Sequence, residues 1–269
     1  FGLFKNKTAN KNCFVLDFHG DIKATEVQQL REEISTLLTV AQAEDEVIVR
    51  LESSGGMVHA YGLAAAQLAR IKEAGLNLTV CIDKVAASGG YMMACVADKI
   101  LAAPFAVVGS IGVVAQVPNF HDLLEKHDID VEVFTAGKYK RTVTVFGENT
   151  EEDKQKFQQE LEETHKLFKD FVRKYRPSLD VEQVATGEHW YGEDAITRNL
   201  VDALQTSDSY ILEKMTDSEL YAIQSRQKPT IAQKLGISQA AQAVVATAID
   251  KLPDTLAKLE SAKMPMVKK

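Results

Sequence analysis

Residues 47–97 read VIVRLESSGGMVHAYGLAAAQLARIKEAGLNLTVCIDKVAASGGYMMACVA, and the same pattern occurs in them twice. An apolar, β-branched run at 47–51 meets the turn Ser53-Ser54-Gly55-Gly56 and is followed by a helical pattern over about 58–74. A second run at 78–82 meets Ala86-Ala87-Ser88-Gly89-Gly90, after which another helical stretch reaches Ala97. Strand, small-residue turn and helix in succession imply an α/β protein with a largely parallel sheet, because parallel strands need long, usually helical, connections.

The pattern extends in both directions. Residues 13–18 read as a strand and 24–38 as an amphipathic helix; 99–103, 111–115 and 131–135 read as further strands. After Lys140 the character changes. Thr150-Glu151-Glu152-Asp153 has the form of a capping box, and Phe157, Leu161, Phe168, Phe171 and Tyr175 follow at helical spacing up to Pro177, which predicts one long helix. From about Lys228 to Lys269 the chain is rich in Ala, Gln and Lys and lacks a strand signal, as expected of a helical extension.

The composition narrows the function. The 269 residues carry 31 Lys plus Arg against 38 Asp plus Glu, a formal charge of −7, which argues against nucleic acid as a partner because phosphate binding needs a basic footprint. With 45% apolar and 26% charged residues the chain has the makings of an ordinary globular core. Cys13, Cys81 and Cys95 show neither disulfide nor zinc spacing, and Cys81 and Cys95 stand in apolar contexts that suit small core residues. No metal-ligand or cofactor motif is present, so no cofactor is expected. Residues 100–120 lack charge and reach the length of a membrane span, but Pro104, Gly109, Ser110, Gly112 and Pro118 suit buried strands and turns instead.

Ser88 is the most informative residue. It follows a buried strand and opens an apolar helix, where the helix N–H groups favour a developing oxyanion. Two readings are open, a nucleophile or a plain helix N-cap; Ala86 stands where a strict G-x-S-x-G elbow has glycine. Gly55-Gly56 forms a similar turn about 30 residues earlier. In a parallel sheet such turns lie side by side, so the Gly56 N–H can face Ser88 and the Gly89 N–H across one cleft. A serine nucleophile needs a base. Of six histidines, His59 is the one placed near that cleft by sequence. The cluster Gly137-Lys138-Tyr139-Lys140-Arg141 offers lysine instead, with Ser110 as a hydroxyl able to orient the amine. An ordinary lysine is neutral at pH 7 in about one molecule in 2,500, so such a base must be buried at a cost to the ammonium of about 4–5 kcal/mol.

Taken in order, Ser-x-Gly-Gly, Ala86-Ala87-Ser88-Gly89-Gly90-Tyr91, Gly109-Ser110-Ile111-Gly112-Val113 and Gly137-Lys138-Tyr139-Lys140 resemble the signal peptide peptidase A family. The resemblance continues through residues 185–192 and Asn199-Leu200-Val201-Asp202, covering about 12–205. It implies the Clp protease/crotonase-like fold of repeated β-β-α units, with a C-terminal helical extension. It also implies a serine endopeptidase with a Ser-Lys dyad acting on apolar or unfolded peptides, such as signal-peptide remnants and membrane-protein fragments. By motif, Ser88 matches the nucleophile, Lys140 the general base 52 residues later, Ser110 the lysine-orienting hydroxyl, and Gly56 and Gly89 the oxyanion-hole N–H donors. Lys138 is the competing lysine. Ser54 stands where family members commonly carry proline, which removes no donor but leaves that turn less stiff.

The expected organisation is an N-terminal stub over 1–11 that follows a membrane anchor outside this chain, a peptidase domain over 12–205 and the helical extension over 206–269. The family further implies a ring-like homo-oligomer at the inner membrane of a Gram-negative bacterium with the catalytic domain in the periplasm. A crotonase-like acyl-CoA enzyme and a non-catalytic oligomeric scaffold are the alternatives on the same fold.

Overall fold

Alternation along the first strand sets the layers. In β1 (Asn12–Gly20), Phe14, Leu16 and Phe18 enter one apolar core while Cys13 and Val15 enter another, on the opposite face, as the period of two requires. A computed structural model describes residues 11–225. The extension expected after Lys228 lies outside the described residues, as does most of the expected N-terminal stub.

β1 runs parallel to β2 (Glu46–Ser53) on one edge and to β9 (Glu219–Ala222) on the other. The far edge of β2 has two partners. Glu46–Arg50 pairs with β3 (Asn77–Ile82), and Ser53 pairs with Ala86 of β4 (Val85–Ala87). The sheet therefore forks. One limb continues through β5 (Lys99–Ala102) to β8 (Ala203–Leu204), the other through β6 (Val107–Gly109) to β7 (His189–Tyr191). Every pairing is parallel except β6 with β7. The fork leaves the carboxyl ends of β2, β4 and β6 adjacent, where ligands bind in sheets of this kind.

Three helices cover one face. α1 (Val27–Leu37) buries Leu30, Ile34 and Leu37, and α2 (Val58–Glu73) buries Tyr61, Ala64, Ala65, Leu68 and Ile71, spacings that keep an apolar stripe on the sheet. α3 (Gly89–Ala94) is buried all round. Each large aliphatic side chain removed from water there contributes roughly 1.5–3 kcal/mol. The opposite face holds a smaller cluster of Cys13, Val15, Ile48, Cys81, Leu101 and Tyr210, the last from α8 (Ser207–Lys214). All three cysteines are free and buried.

Between β6 and β7 lie α4 (His121–Glu125), α5 (Glu151–Tyr175) and α6 (Val181–Val184); α7 (Gly192–Thr197) follows β7. The long helix has the expected capping box. The Asp153 N–H donates to the Thr150 hydroxyl at 3.2 Å and the Thr150 N–H to the Asp153 carboxylate at 3.0 Å. Just beyond it, Arg176 forms a two-pronged pair with Asp202 (2.9 and 2.8 Å), and Asp202 also accepts the Ile100 N–H at 2.7 Å, so the helix end is tied to β5.

Two expectations from sequence fail. Residues 111–115 and 131–135 form no strand. β-propensity marks side chains that suit a pleated, half-buried surface, but the segment 113–148 pairs with no strand and leaves Val114, Phe134 and Phe146 exposed. The basic cluster at 137–141 thus follows an extended loop and not a strand. The first helix also starts three residues late, at Val27, because Ala24 sits in a turn at φ +48°. No helix among the described residues is long and apolar enough to cross a membrane.

Candidate active site

Ser88 occupies the step from β4 into α3. Its backbone is at φ +52°, ψ −118°, a conformation costly for any residue with a side chain, and strain of this kind persists only where neighbours hold it. Its N–H donates to the Gly109 carbonyl at 2.8 Å, and its own carbonyl accepts from the Met92 N–H at 3.0 Å. Ser88 stands at the N-cap of α3, yet its side chain makes no capping hydrogen bond. The plain N-cap reading therefore fails, and the strained step carries a serine whose hydroxyl is free for something else.

The glycine turn abuts it. Gly55 lies at φ +88°, and a Cβ built there would come within 2.6 Å of the Gly89 nitrogen and 2.8 Å of both the Ala87 carbonyl oxygen and Ser88 Cβ. A Cβ on Gly56 would collide with the Ile22 carbonyl, one on Gly89 with the Tyr61 ring, and one on Gly90 with the Ser53 carbonyl. Gly55, Gly56 and Gly90 are demanded by the close approach of neighbouring backbone, and Gly89 by the Tyr61 ring. The N–H of Gly89 opens α3 and has no partner within the helix, as is general for the first turn. Ser110 is held in another strained step, at φ +51° after Gly109 at φ +102°, by donation of its N–H to the Glu188 carbonyl at 2.6 Å.

One cleft of about 580 Å³ gathers Gly55, Gly56, Ser88 and Ser110, with Ile22, Val113 and Val114 as apolar wall. Gly89 adjoins it through its contact with the Gly55 turn. Lys140 is not among the lining residues. It is exposed, in a turn where its N–H donates to the Gly137 carbonyl at 3.1 Å. Lys138 is paired with Glu152 at 2.7 Å, and that hydrogen bond pushes its ammonium up to about 12, the wrong direction for a base. His59 is exposed at the start of α2 and lines no part of the cleft.

The histidine in the cleft is His165 of α5, whose buried Nε2 has no hydrogen-bond partner among the described residues. Sequence reasoning passed over it. A signal existed, since positions 161, 165, 168 and 172 share one helical face and Phe168 and Val172 on that face are buried.

A model of Peptidase family S49 matches residues 70–221, and a model of the family's N-terminal region matches residues 4–68. The chain belongs to Peptidase family S49. Within S49 it is 64% identical over 227 residues to "Probable protease SohB" of Haemophilus influenzae, covering 84% of this chain and 64% of that protein. It is 58% identical over 218 residues to the protein of the same name in Buchnera aphidicola subsp. Acyrthosiphon pisum, covering 81% and 65%. The chain thus spans a little under two thirds of the length of these relatives. Among solved structures, a serine-to-alanine mutant of the 1510-N membrane-bound stomatin-specific protease superposes with a TM-score of 0.52 at 12% identity, covering 83% of this chain and all of that one. That likeness is one of fold. The Clp protease/crotonase-like α/β architecture and the S49 membership expected from the ordered motifs are both borne out.

Proposed function

We propose that this S49 chain is a serine endopeptidase in which Ser88 is the nucleophile, Lys140 the general base, Ser110 the hydroxyl that orients the amine, and the Gly56 and Gly89 N–H groups the oxyanion donors. The observation that carries the reading is the strained, non-capping Ser88 packed directly against the Gly55-Gly56 turn in one cleft. The neutral lysine amine takes the Ser88 hydroxyl proton as Oγ bonds to a peptide carbonyl carbon. The two N–H groups hold the resulting oxyanion. Collapse breaks the C–N bond while the lysine ammonium returns the proton to the leaving amine, and water then repeats the cycle on the acyl-enzyme.

The proposal requires Lys140 to enter the cleft. The 113–148 segment that bears it also exposes Val114, Phe134, Tyr139 and Phe146, so closing this segment over a substrate, or packing it in an assembly, buries apolar surface and desolvates the amine together. A ring-like homo-oligomer acting on apolar or unfolded peptides fits that surface. Association with the bacterial inner membrane and a periplasmic catalytic domain complete the proposal; the fold neighbour described above is itself called membrane-bound.

A second reading within the enzyme class is favoured by one observation, the presence of His165 in the cleft. Cleavage of an unfolded, apolar-rich protein by the wild type, Ser88→Ala, Lys140→Ala and His165→Gln separates the two. Loss in Ser88→Ala and Lys140→Ala with retention in His165→Gln supports the dyad. Loss in His165→Gln with retention in Lys140→Ala transfers the base to His165. A crotonase-like acyl-CoA enzyme would keep its activity in Ser88→Ala, and a scaffold would show none in the wild type.

A further inference from the structure

Behind the glycine turn lies a chain of hydrogen bonds in which every proton can be assigned. The Tyr61 hydroxyl donates to the Asp21 carbonyl at 2.7 Å, which commits its one proton. The Ser53 hydroxyl lies 2.5 Å from Tyr61 Oη and 3.4 Å from the Gly20 carbonyl, the latter beyond the usual O–H···O range, so it is the donor in the bond to Tyr61. Ser53 Oγ in turn accepts the Gly55 N–H at 3.0 Å. Donation runs from the Gly55 N–H to the Ser53 hydroxyl, from that to the Tyr61 hydroxyl and from that to the Asp21 carbonyl, and both side chains are buried. Chains of this kind polarise one another in a low-dielectric interior and hold their ends firmly.

The other side of Tyr61 touches the second turn. Gly89 packs so closely on the Tyr61 ring that a Cβ there would overlap Cγ. One side chain therefore reaches both backbones that would hold the oxyanion: the hydroxyl steadies the Gly55-Gly56 turn through Ser53, and the ring backs Gly89. The loop that accepts the chain's last proton also clamps Gly56, since the Met57 N–H donates to the Ile22 carbonyl at 2.8 Å and that carbonyl faces Gly56 Cα. With its own N–H given to Ser53, Gly55 leaves the Gly56 N–H as the donor this turn can present to the cleft.

We infer that Tyr61 and Ser53 are positioning residues that set the separation of the Gly56 and Gly89 N–H groups. The inference rests on the peptidase reading above. It is confined to the transition state, because a carbonyl oxygen draws on those N–H groups most strongly once it has become an oxyanion.

The test compares wild type, Tyr61→Phe, Ser53→Ala and the double variant on an internally quenched Leu/Ala-rich peptide and on a peptide aldehyde, which forms a tetrahedral hemiacetal on Ser88. Removing an oxyanion donor outright costs about 10²–10³-fold in kcat, so a donor displaced by a fraction of an ångström is expected to cost about tenfold. Tyr61→Phe, which keeps the ring against Gly89, should lower kcat about tenfold with KM within about twofold, and weaken the aldehyde by the same factor. Ser53→Ala should match it, and the double variant should be no worse than either, because all three break the same chain. A merely structural role would lower the melting temperature while leaving kcat and the aldehyde affinity of the folded protein unchanged, and that result in both single variants overturns the inference. A wild type that neither cleaves the peptide nor binds the aldehyde overturns the peptidase reading itself, and the inference with it.

Discussion

Gly55→Ala probes the contact on which the site depends, and Gly75→Ala is its internal control. Both glycines lie in the left-handed region, at φ +88° and +78°, so both alanine variants take on about 1–2 kcal/mol of backbone strain, offset equally by a stiffer unfolded chain. Their surroundings differ. A Cβ at Gly75, the residue just past the end of α2, meets nothing within 4 Å, whereas one at Gly55 falls 2.6 Å from the Gly89 nitrogen and 2.8 Å from the Ala87 oxygen. These are backbone atoms of a buried turn and cannot swing aside, so overpacking adds about 1–3 kcal/mol. At about 2–4 °C per kcal/mol for a protein of this size, Gly55→Ala should melt roughly 2–12 °C below Gly75→Ala. Thermal unfolding followed by circular dichroism, with urea titrations at 25 °C, measures the gap. Because relief of the clash moves the Gly89 N–H, Gly55→Ala should also lose about 10²-fold or more in peptide cleavage while Gly75→Ala keeps it. Equal melting temperatures, with cleavage intact in both, would mean that the two turns do not touch and would remove the basis for placing the oxyanion hole there.

Gly62 lies within α2 with open space where its Cβ would be, so Gly62→Ala should stabilise by about 0.5–1 kcal/mol, seen as a higher urea midpoint; a destabilised variant would contradict that packing. Burial pushes the Glu46 carboxyl up, but hydrogen bonds from Lys214 (2.7 Å), Thr79 (2.6 Å) and Tyr210 (2.7 Å) more than reverse this and hold it below the usual range. A depressed folded pKa contributes stability that is present above the unfolded value near 4.5 and is lost as pH falls through the folded one. Stability should therefore fall more steeply between pH 5 and 3 in the wild type than in Glu46→Gln, and parallel acid limbs would refute the assignment. Asp202→Ala leaves the buried Arg176 guanidinium without its two-pronged partner and should cost about 2–4 kcal/mol in chemical denaturation; Arg176→Met/Asp202→Ala should recover part of it, and a full additive loss would show that the ion pair is not the source.

Much of the site is legible in the order of the residues alone. Turn chemistry is local: a small-residue break after a β-branched run marks Ser53–Gly56 and Ala86–Gly90 wherever those strands end, and the Thr150–Asp153 capping box needs only four residues. Helix and strand periods likewise placed β1, β2, β3, α1, α2 and α5 close to where they lie. What the residues could not reveal depends on partners distant in sequence. Residues 131–135 (VEVFT) carry the β-branched and aromatic residues that strands favour but have no strand beside them, while Val85–Ala87, which reads as part of a turn, becomes a strand because Ser53 and β6 flank it.

The amino-acid sequence by itself determined an α/β chain of Peptidase family S49, with a serine and two glycine turns at the carboxyl ends of its strands, because periodicity, turn residues and ordered motifs are properties of neighbouring positions. Only the tertiary structure decided that Ser88 is strained and caps nothing, that Gly55 presses on Gly89, that Tyr61 joins the two turns, and that His165 and not His59 lines the cleft. Each of these is a distance between residues far apart along the chain, set by how the sheet forks at β2 and how the helices close on it.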